Sequence, residues 1–304
     1  MNLALLLLVF AATVLGIVYR RADRETITAA EFRAHSAYTT ASLEDGVTAY
    51  RDLGAKDAPV LVIIHGATLG SVAYEDYFQP FVEGGYRVVA YDEYGRGFSD
   101  RTLGPLTMDC MRRQLLGLLD HLKIETAVLY GISMGGAIAA RVAAAHPERV
   151  TAIGFQVPLI RGASSPLVTI ARIPLLNRFL GRVLLVPKII ERGEAVGVAD
   201  AKGQRIFAHF RDQFTVEGTL RNLLSMTIGD VLGDRLQDHA TIAATGIPVQ
   251  FAYASDDSEI HPTLVEQAIS FYDEPDVRSY TGGHFFSSGR QAELAARLLE
   301  FLAR

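Results

Sequence analysis

Gly131-Ile132-Ser133-Met134-Gly135 sets one serine in a G-x-S-x-G pattern. A serine hydroxyl becomes a nucleophile only when a base takes its proton, so the pattern matters only if the fold brings such a base to it. By residue frequencies alone it arises in about one chain in ten of this length, and its setting therefore decides its weight. The setting is specific. An apolar strand is expected over Ala127–Tyr130 and a small-residue helix from Gly135, which puts Ser133 on a sharp strand-to-helix turn. Flanking glycines let two backbones approach closely there, and the helix N-terminus points N–H groups at developing negative charge.

The expected base is His284, in TGGHFFS after the last strand, where Gly282 and Gly283 form a loop able to carry an imidazole over the sheet edge. His65, His121, His146, His209, His239 and His261 fall at turns, helix ends or helix starts and are read as structural. A carboxylate must orient the base and stabilise the imidazolium. The stretch Tyr253–Glu259 offers three, of which Asp257 is the expected partner and Asp256 the alternative. An acyl-transfer intermediate also needs N–H donors for its oxyanion. Met134, directly after the serine, and Ala67, directly after His65-Gly66, are the expected backbone donors. This chemistry needs no metal and no organic cofactor. Cys110 is the single cysteine, so neither an intrachain disulfide nor a cysteine-rich metal site can form.

The elements that must position these groups read as an α/β fold, a mostly parallel sheet covered by helices on both faces. Strands are expected at Val47–Leu53, Pro59–Ile64, Tyr86–Tyr91, Ala127–Tyr130, Val150–Phe155, Ile247–Tyr253 and Val277–Tyr280. Helices are expected at Val72–Val82, Thr107–Leu122, Gly135–Ala145 and Gln291–Leu302. From Pro158 to Ala244 the pattern is helical without a convincing strand, the mark of an inserted cap. The expected division is therefore 1–24 as an N-terminal segment, 25–157 with 245–304 as the core, and 158–244 as the cap.

A formal charge of −5 and a pI near 5.9 give no electrostatic reason to expect nucleic acid as a partner. Leu3 to Tyr19 carries no charge and is followed by Arg20, Arg21 and Arg24. As a helix it would span about 26 Å, enough for a thin bilayer. A single-pass anchor is expected rather than a cleaved signal peptide, because no Lys or Arg precedes the run and no small-x-small site follows it. The positive-inside tendency then places the catalytic domain in the cytoplasm; the alternative is secretion after signal cleavage.

HGATLGS, DEYGRGFSD, GISMGG, the aspartates after PVQFAYA, and GGH near the end together resemble the α/β-hydrolase superfamily over nearly all of residues 41–304. Within it, capped, membrane-anchored monoacylglycerol lipases and carboxylesterases look most similar. The resemblance implies two-step acyl transfer on lipid-like or small acyl esters, with Asp92 and Arg96 holding a loop. Serine at 133 argues against the dehalogenase and epoxide-hydrolase mechanisms. Carbon–carbon bond hydrolysis is the alternative activity, although the oxyanion loop lacks the Gly-Pro-Gly run of those enzymes. A non-catalytic ligand receptor on the same fold is a third reading. Ala254 stands where the family usually has glycine, and the spacing from Asp257 to Pro262 is one residue longer, which keeps Asp256 open as the acid.

The cap is basic, with nine Lys or Arg against four acids between Arg161 and Asp212. Its LLNRFLGRVLLV helix, Leu175–Val186, places Arg178 and Arg182 one turn apart beside apolar residues. This face is expected to rest on an anionic bilayer, or alternatively to pack on the core as an ordinary cap helix.

Overall fold

The computed structural model describes residues 2–34, 36–162, 173, 176–197 and 200–304. Eight strands form one sheet: β1 (Thr39–Leu43), β2 (Gly46–Leu53), β3 (Val60–Ile64), β4 (Arg87–Tyr91), β5 (Ala127–Ile132), β6 (Val150–Gln156), β7 (Val249–Ala254) and β8 (Asp276–Tyr280). Their order is β1-β2-β4-β3-β5-β6-β7-β8, antiparallel across β1, β2 and β4 and parallel elsewhere. From β3 the chain runs outward to β4 and then returns to the other side as β5. That reversal opens a crevice at the C-terminal ends of β3 and β5, where ligands bind in sheets of this kind.

Both faces of the central strands are buried, which is why they read as unbroken apolar runs. Along β3, Val62 and Ile64 join one apolar layer while Leu61 and Ile63 join the other. The first layer packs under α4 (Met108–His121) and α5 (Met134–Ala145), the second under α3 (Phe78–Glu83) and the last helix, Gln291–Leu302. Two elements differ from the sequence reading. β1 is an edge strand with only Ala41 buried, so it has no alternating apolar pattern. The helix expected over Val72–Val82 begins as a 3-10 segment, Ser71–Tyr77, before α3.

In the cap, α6 (Leu176–Leu180) passes through one π-helical turn, Gly181–Leu185, into α7 (Val186–Gly197), followed by α8 (Ala201–Asp212) and α9 (Thr219–Ile228). Leu175 and Arg172, both part of the sequence reading of the cap, lie outside the described residues. The next helix, α10 (Leu236–Ala243), packs on α5 instead of on the cap. His239 lies against Phe155 and Phe251, and Asp238 pairs with Arg141 at 3.3 Å. α10 therefore belongs to the layer that covers α5.

The apolar helix α1 (Leu3–Arg21) buries none of its residues. The chain after it is tied down: the Thr26 and Ile27 amides donate to the Thr215 carbonyl, and α2 (Ala29–Arg33) starts with a Thr28–Glu31 capping box. Arg33 then donates to the Phe98 carbonyl and to Asp100. This segment thus touches both the Thr215 turn and the loop after β4. Arg182 is enclosed in it, 14% exposed, lying over the Tyr19 ring and pairing with Asp23 at 2.8 Å. Its charge is satisfied by Asp23 and the Tyr19 ring.

Candidate active site

β5 delivers Ser133 to the crevice. The residue has φ 54° and ψ −117°, a conformation that costs of order 1–3 kcal/mol unless its surroundings enforce it. They do. The Ser133 amide donates to the Gln156 carbonyl at 2.9 Å, and the Ser133 carbonyl accepts from the Gly136 and Leu159 amides, each at 2.9 Å. The glycines are required by contact: a Cβ on Gly131 would lie 2.6 Å from the Gly135 oxygen, and one on Gly135 would lie 2.0 Å from the Ile64 oxygen. No side chain fits where α5 crosses the end of β3.

Three of the residues singled out in the sequence meet here. The Ser133 Oγ lies 3.0 Å from His284 Nε2, and His284 Nδ1 lies 2.8 Å from Asp257 Oδ2. Asp257 is 3% exposed, and its Oδ1 accepts from the Glu259 and Ile260 amides at 2.8 and 2.9 Å. Burial pushes this carboxyl up, but the bonds from His284 and the two amides outweigh burial and hold it below the usual carboxylate range. Asp256 does not reach the imidazole. Its Oδ2 accepts from the Gly282 amide at 3.1 Å and its own amide donates to the Gly282 carbonyl at 3.0 Å, so it ties the acid turn to the histidine loop.

Neither the Met134 nor the Ala67 amide donates to any described residue. Gly66, just before Ala67, lies against the nucleophile, because a Cβ built on it would sit 3.4 Å from Ser133 Cβ. The Ala67 carbonyl accepts from Arg96 Nε at 2.5 Å. Arg96 is fully enclosed, and burial lowers its guanidinium to about 10, still charged at neutral pH. Asp92 accepts from the Ser71 amide and hydroxyl and from the Phe98 amide, at 2.7, 2.8 and 2.8 Å. Thus Asp92 and Arg96 brace the turn that carries Ala67. His65 is buried below, accepting from the Glu93 amide at Nε2.

Ser133 and His284 open into a cavity of about 330 Å³, lined also by Tyr74, Tyr77, Gln156, Ile206 and Ser287. Leu69, Ile206 and Phe285 separate it from an apolar chamber of about 160 Å³ under the cap, lined by Ile189, Phe207 and Phe210. Cap and core are clasped around both by ion pairs Lys202–Asp76, Arg205–Glu75 and Arg192–Glu259. A larger cleft, about 780 Å³, lies at the opposite end of the strands beside Pro59, Thr126 and Pro248 and contains none of these groups. The polar residues that sequence reasoning missed are Gln156 and its partners Tyr77 and Tyr130, which sit in apolar strand and helix patterns without a local signal.

A hydroxyl, an imidazole and a buried carboxylate in line, beside two unengaged amides at a topological switch point, form an arrangement able to move a proton off a nucleophile and receive an oxyanion. The fold defines the class. The family model described as "alpha/beta hydrolase fold" matches residues 59–182. Among curated relatives, the AB hydrolase superfamily protein YfhM of Bacillus subtilis (strain 168) is 31% identical over 119 residues, 38% of this chain and 42% of its own. The 2-hydroxy-6-oxo-6-phenylhexa-2,4-dienoate hydrolase of Comamonas testosteroni is 36% identical over 130 residues, 40% of this chain and 43% of its own. The chain thus matches these two over about two fifths of their length. Others carry the names of a bifunctional esterase/perhydrolase and a non-heme chloroperoxidase. The solved enol-lactonase from Burkholderia xenovorans LB400 superposes with a TM-score of 0.74 at 20% identity, over 88% of this chain and 100% of that one. The chain has the α/β-hydrolase fold.

Proposed function

We propose that the protein hydrolyses carboxylic esters through an acyl-enzyme on Ser133. His284 Nε2 takes the hydroxyl proton as Ser133 Oγ attacks the ester carbonyl, and returns it to the departing alcohol oxygen. Nδ1–H toward Asp257 keeps Nε2 free as the acceptor, and the carboxylate stabilises the imidazolium. The Ala67 and Met134 amides receive the oxyanion, which carries full negative charge only after attack. Water, deprotonated by the same imidazole, then releases the acid. The observation that carries this reading is the 3.0 Å and 2.8 Å chain from Ser133 through His284 to Asp257 at the wall of a cavity.

The apolar chamber supports an acyl group of modest size. Its volume, about 160 Å³, is close to the roughly 150 Å³ at which a dry engineered cavity binds benzene. Pre-steady-state hydrolysis of a chromogenic ester should give a burst of alcohol equal to the enzyme concentration; linear release from the first turnover, with no trapped acyl group by mass spectrometry, would reject the acyl-enzyme. The likeness to a dienoate hydrolase supports carbon–carbon bond hydrolysis as a second reading. Purified protein offered both an ester and a vinylogous 1,5-diketone separates the two.

Membrane anchorage through α1 belongs to the same proposal. The helix is 19 residues long with a mean hydropathy of 2.3, has no buried residue and ends in basic residues, features that a signal sequence shares. Recovery of intact protein in the membrane fraction, lost on deleting residues 2–19, is the expected result. The division into core and cap is also proposed as functional, the cap shaping the apolar chamber.

A further inference from the structure

We infer that Gln156 forms a hydrogen-bond-donor subsite that selects substrates carrying a second acceptor oxygen near the scissile group, such as an oxo- or hydroxy-acyl ester. This rests on the ester-hydrolase reading and adds the substrate class. Gln156 ends β6 and is 1% exposed; its main-chain carbonyl accepts from the Ser133 amide, which sets the residue directly beside the nucleophile. Its side-chain Oε1 accepts from Tyr77 Oη at 2.7 Å and from Tyr130 Oη at 2.6 Å. Both tyrosines are themselves buried, and their rings meet edge to face at 5.4 Å.

Those two bonds use both lone pairs of the amide oxygen and fix which end of the amide faces inward. What remains is an Nε2 with two N–H donors. It meets no partner among the described residues, and it is not sealed in the core but opens on the cavity that Gln156 lines with Ser133 and His284. An amide donor left unpaired in a nearly buried wall favours a ligand that completes it and disfavours one that covers it with hydrocarbon. The charged groups Asp76, Lys202 and Asp200 at this wall are already engaged, since Asp76 pairs with Lys202 and Asp200 accepts from the Gly203 amide. The Gln156 amide is therefore a free donor in this wall, and the one set directly beside the nucleophile by its own main chain. A carbonyl or hydroxyl oxygen satisfies it without bringing a charge.

The test compares p-nitrophenyl 4-oxopentanoate with p-nitrophenyl 4-methylpentanoate, esters of like shape that differ in the acceptor. The wild-type chain should favour the oxo-ester by about tenfold or more in kcat/KM, the ratio worth one good hydrogen bond to an otherwise unpaired group. In Gln156→Leu the ratio should fall to about one, and in Tyr77→Phe/Tyr130→Phe, where the amide can turn, to an intermediate value. Gln156→Glu keeps an acceptor for both tyrosines while replacing the amide donors, and decides the question if the leucine variant does not fold. Equal rates on the two esters in the wild-type chain, or a preference that survives Gln156→Glu, would overturn the subsite. Calorimetric affinities of Ser133→Ala for 4-oxopentanoate and 4-methylpentanoate amides read the same preference without turnover. If no ester is cleaved yet this binding preference is present and depends on Gln156, the reaction is wrong and the subsite stands.

Discussion

Replacing Gly135 by alanine adds one methyl group at the most crowded point of the site. Its Cβ would lie 2.0 Å from the Ile64 oxygen, 2.6 Å from the Ile64 carbonyl carbon and 2.7 Å from the His65 oxygen. These are main-chain atoms of β3 and its exit, and a carbonyl in a paired central strand cannot rotate away. Since real Cβ contacts do not fall below 3.0 Å, the start of α5 must retreat from β3 by at least about 1 Å. That retreat carries Met134 N–H and Ser133 away from Ala67 and His284. Overpacking of this kind costs about 1–3 kcal/mol of stability, and a displacement near 1 Å at reacting groups costs about 100-fold in rate. Guanidinium unfolding should thus show a folded but weakened Gly135→Ala protein, while kcat on a chromogenic ester falls about 100-fold. Gly117→Ala is the control: it lies on α4 with its nearest neighbour 3.7 Å from the added carbon, and should be neutral or stabilising. A Gly135→Ala protein with wild-type kcat would refute the close-approach argument and the geometry derived from it.

Asp257→Asn should lower kcat by about 10³–10⁴, because the amide cannot stabilise the imidazolium and favours the wrong tautomer, whereas Asp256→Asn, which retains an acceptor for Gly282, should cost less than about tenfold. Equal losses in the two variants, measured as kcat, would contradict the assignment. Arg96→Lys removes the guanidinium bond to the Ala67 carbonyl and should lower kcat about tenfold at nearly constant KM, with the protein still folded by circular dichroism. Burial of His239 lowers its imidazole from 6.5 to about 3, so between those values the unfolded chain binds a proton that the folded chain refuses. Stability should therefore fall as pH drops through that window, by about 1.4 kcal/mol per pH unit from this group, and denaturant titrations of His239→Gln should lose that part of the slope.

How much of this was legible in the chain depends on how local each signal is. Ser133 is set by its own strand, turn and helix, all within a dozen residues, and the buried strands announce themselves because both faces of β3 and β5 are covered. Asp256 and Asp257 could not be separated, because they share one turn and differ only in which side chain points inward; burial and the Glu259 and Ile260 amides choose Asp257. An amphipathic pattern shows that α10 has a buried face without showing which layer it meets, and the contact with α5 is not legible in the chain. Arg182 reads as a surface base until Tyr19 and Asp23, far away in sequence, close around it. Gln156 was invisible for the same reason, since its side chain is aimed by hydroxyls 79 and 26 residues away.

Fluorophosphonate labelling asks most directly whether the Ser133 hydroxyl is activated. The purified chain should gain one phosphonyl group, mapped by peptide mass spectrometry to the segment holding Ser133, and Ser133→Ala and His284→Ala should both stay unlabelled. Labelling that persists in Ser133→Ala, or a folded wild-type chain that never reacts, would contradict the account.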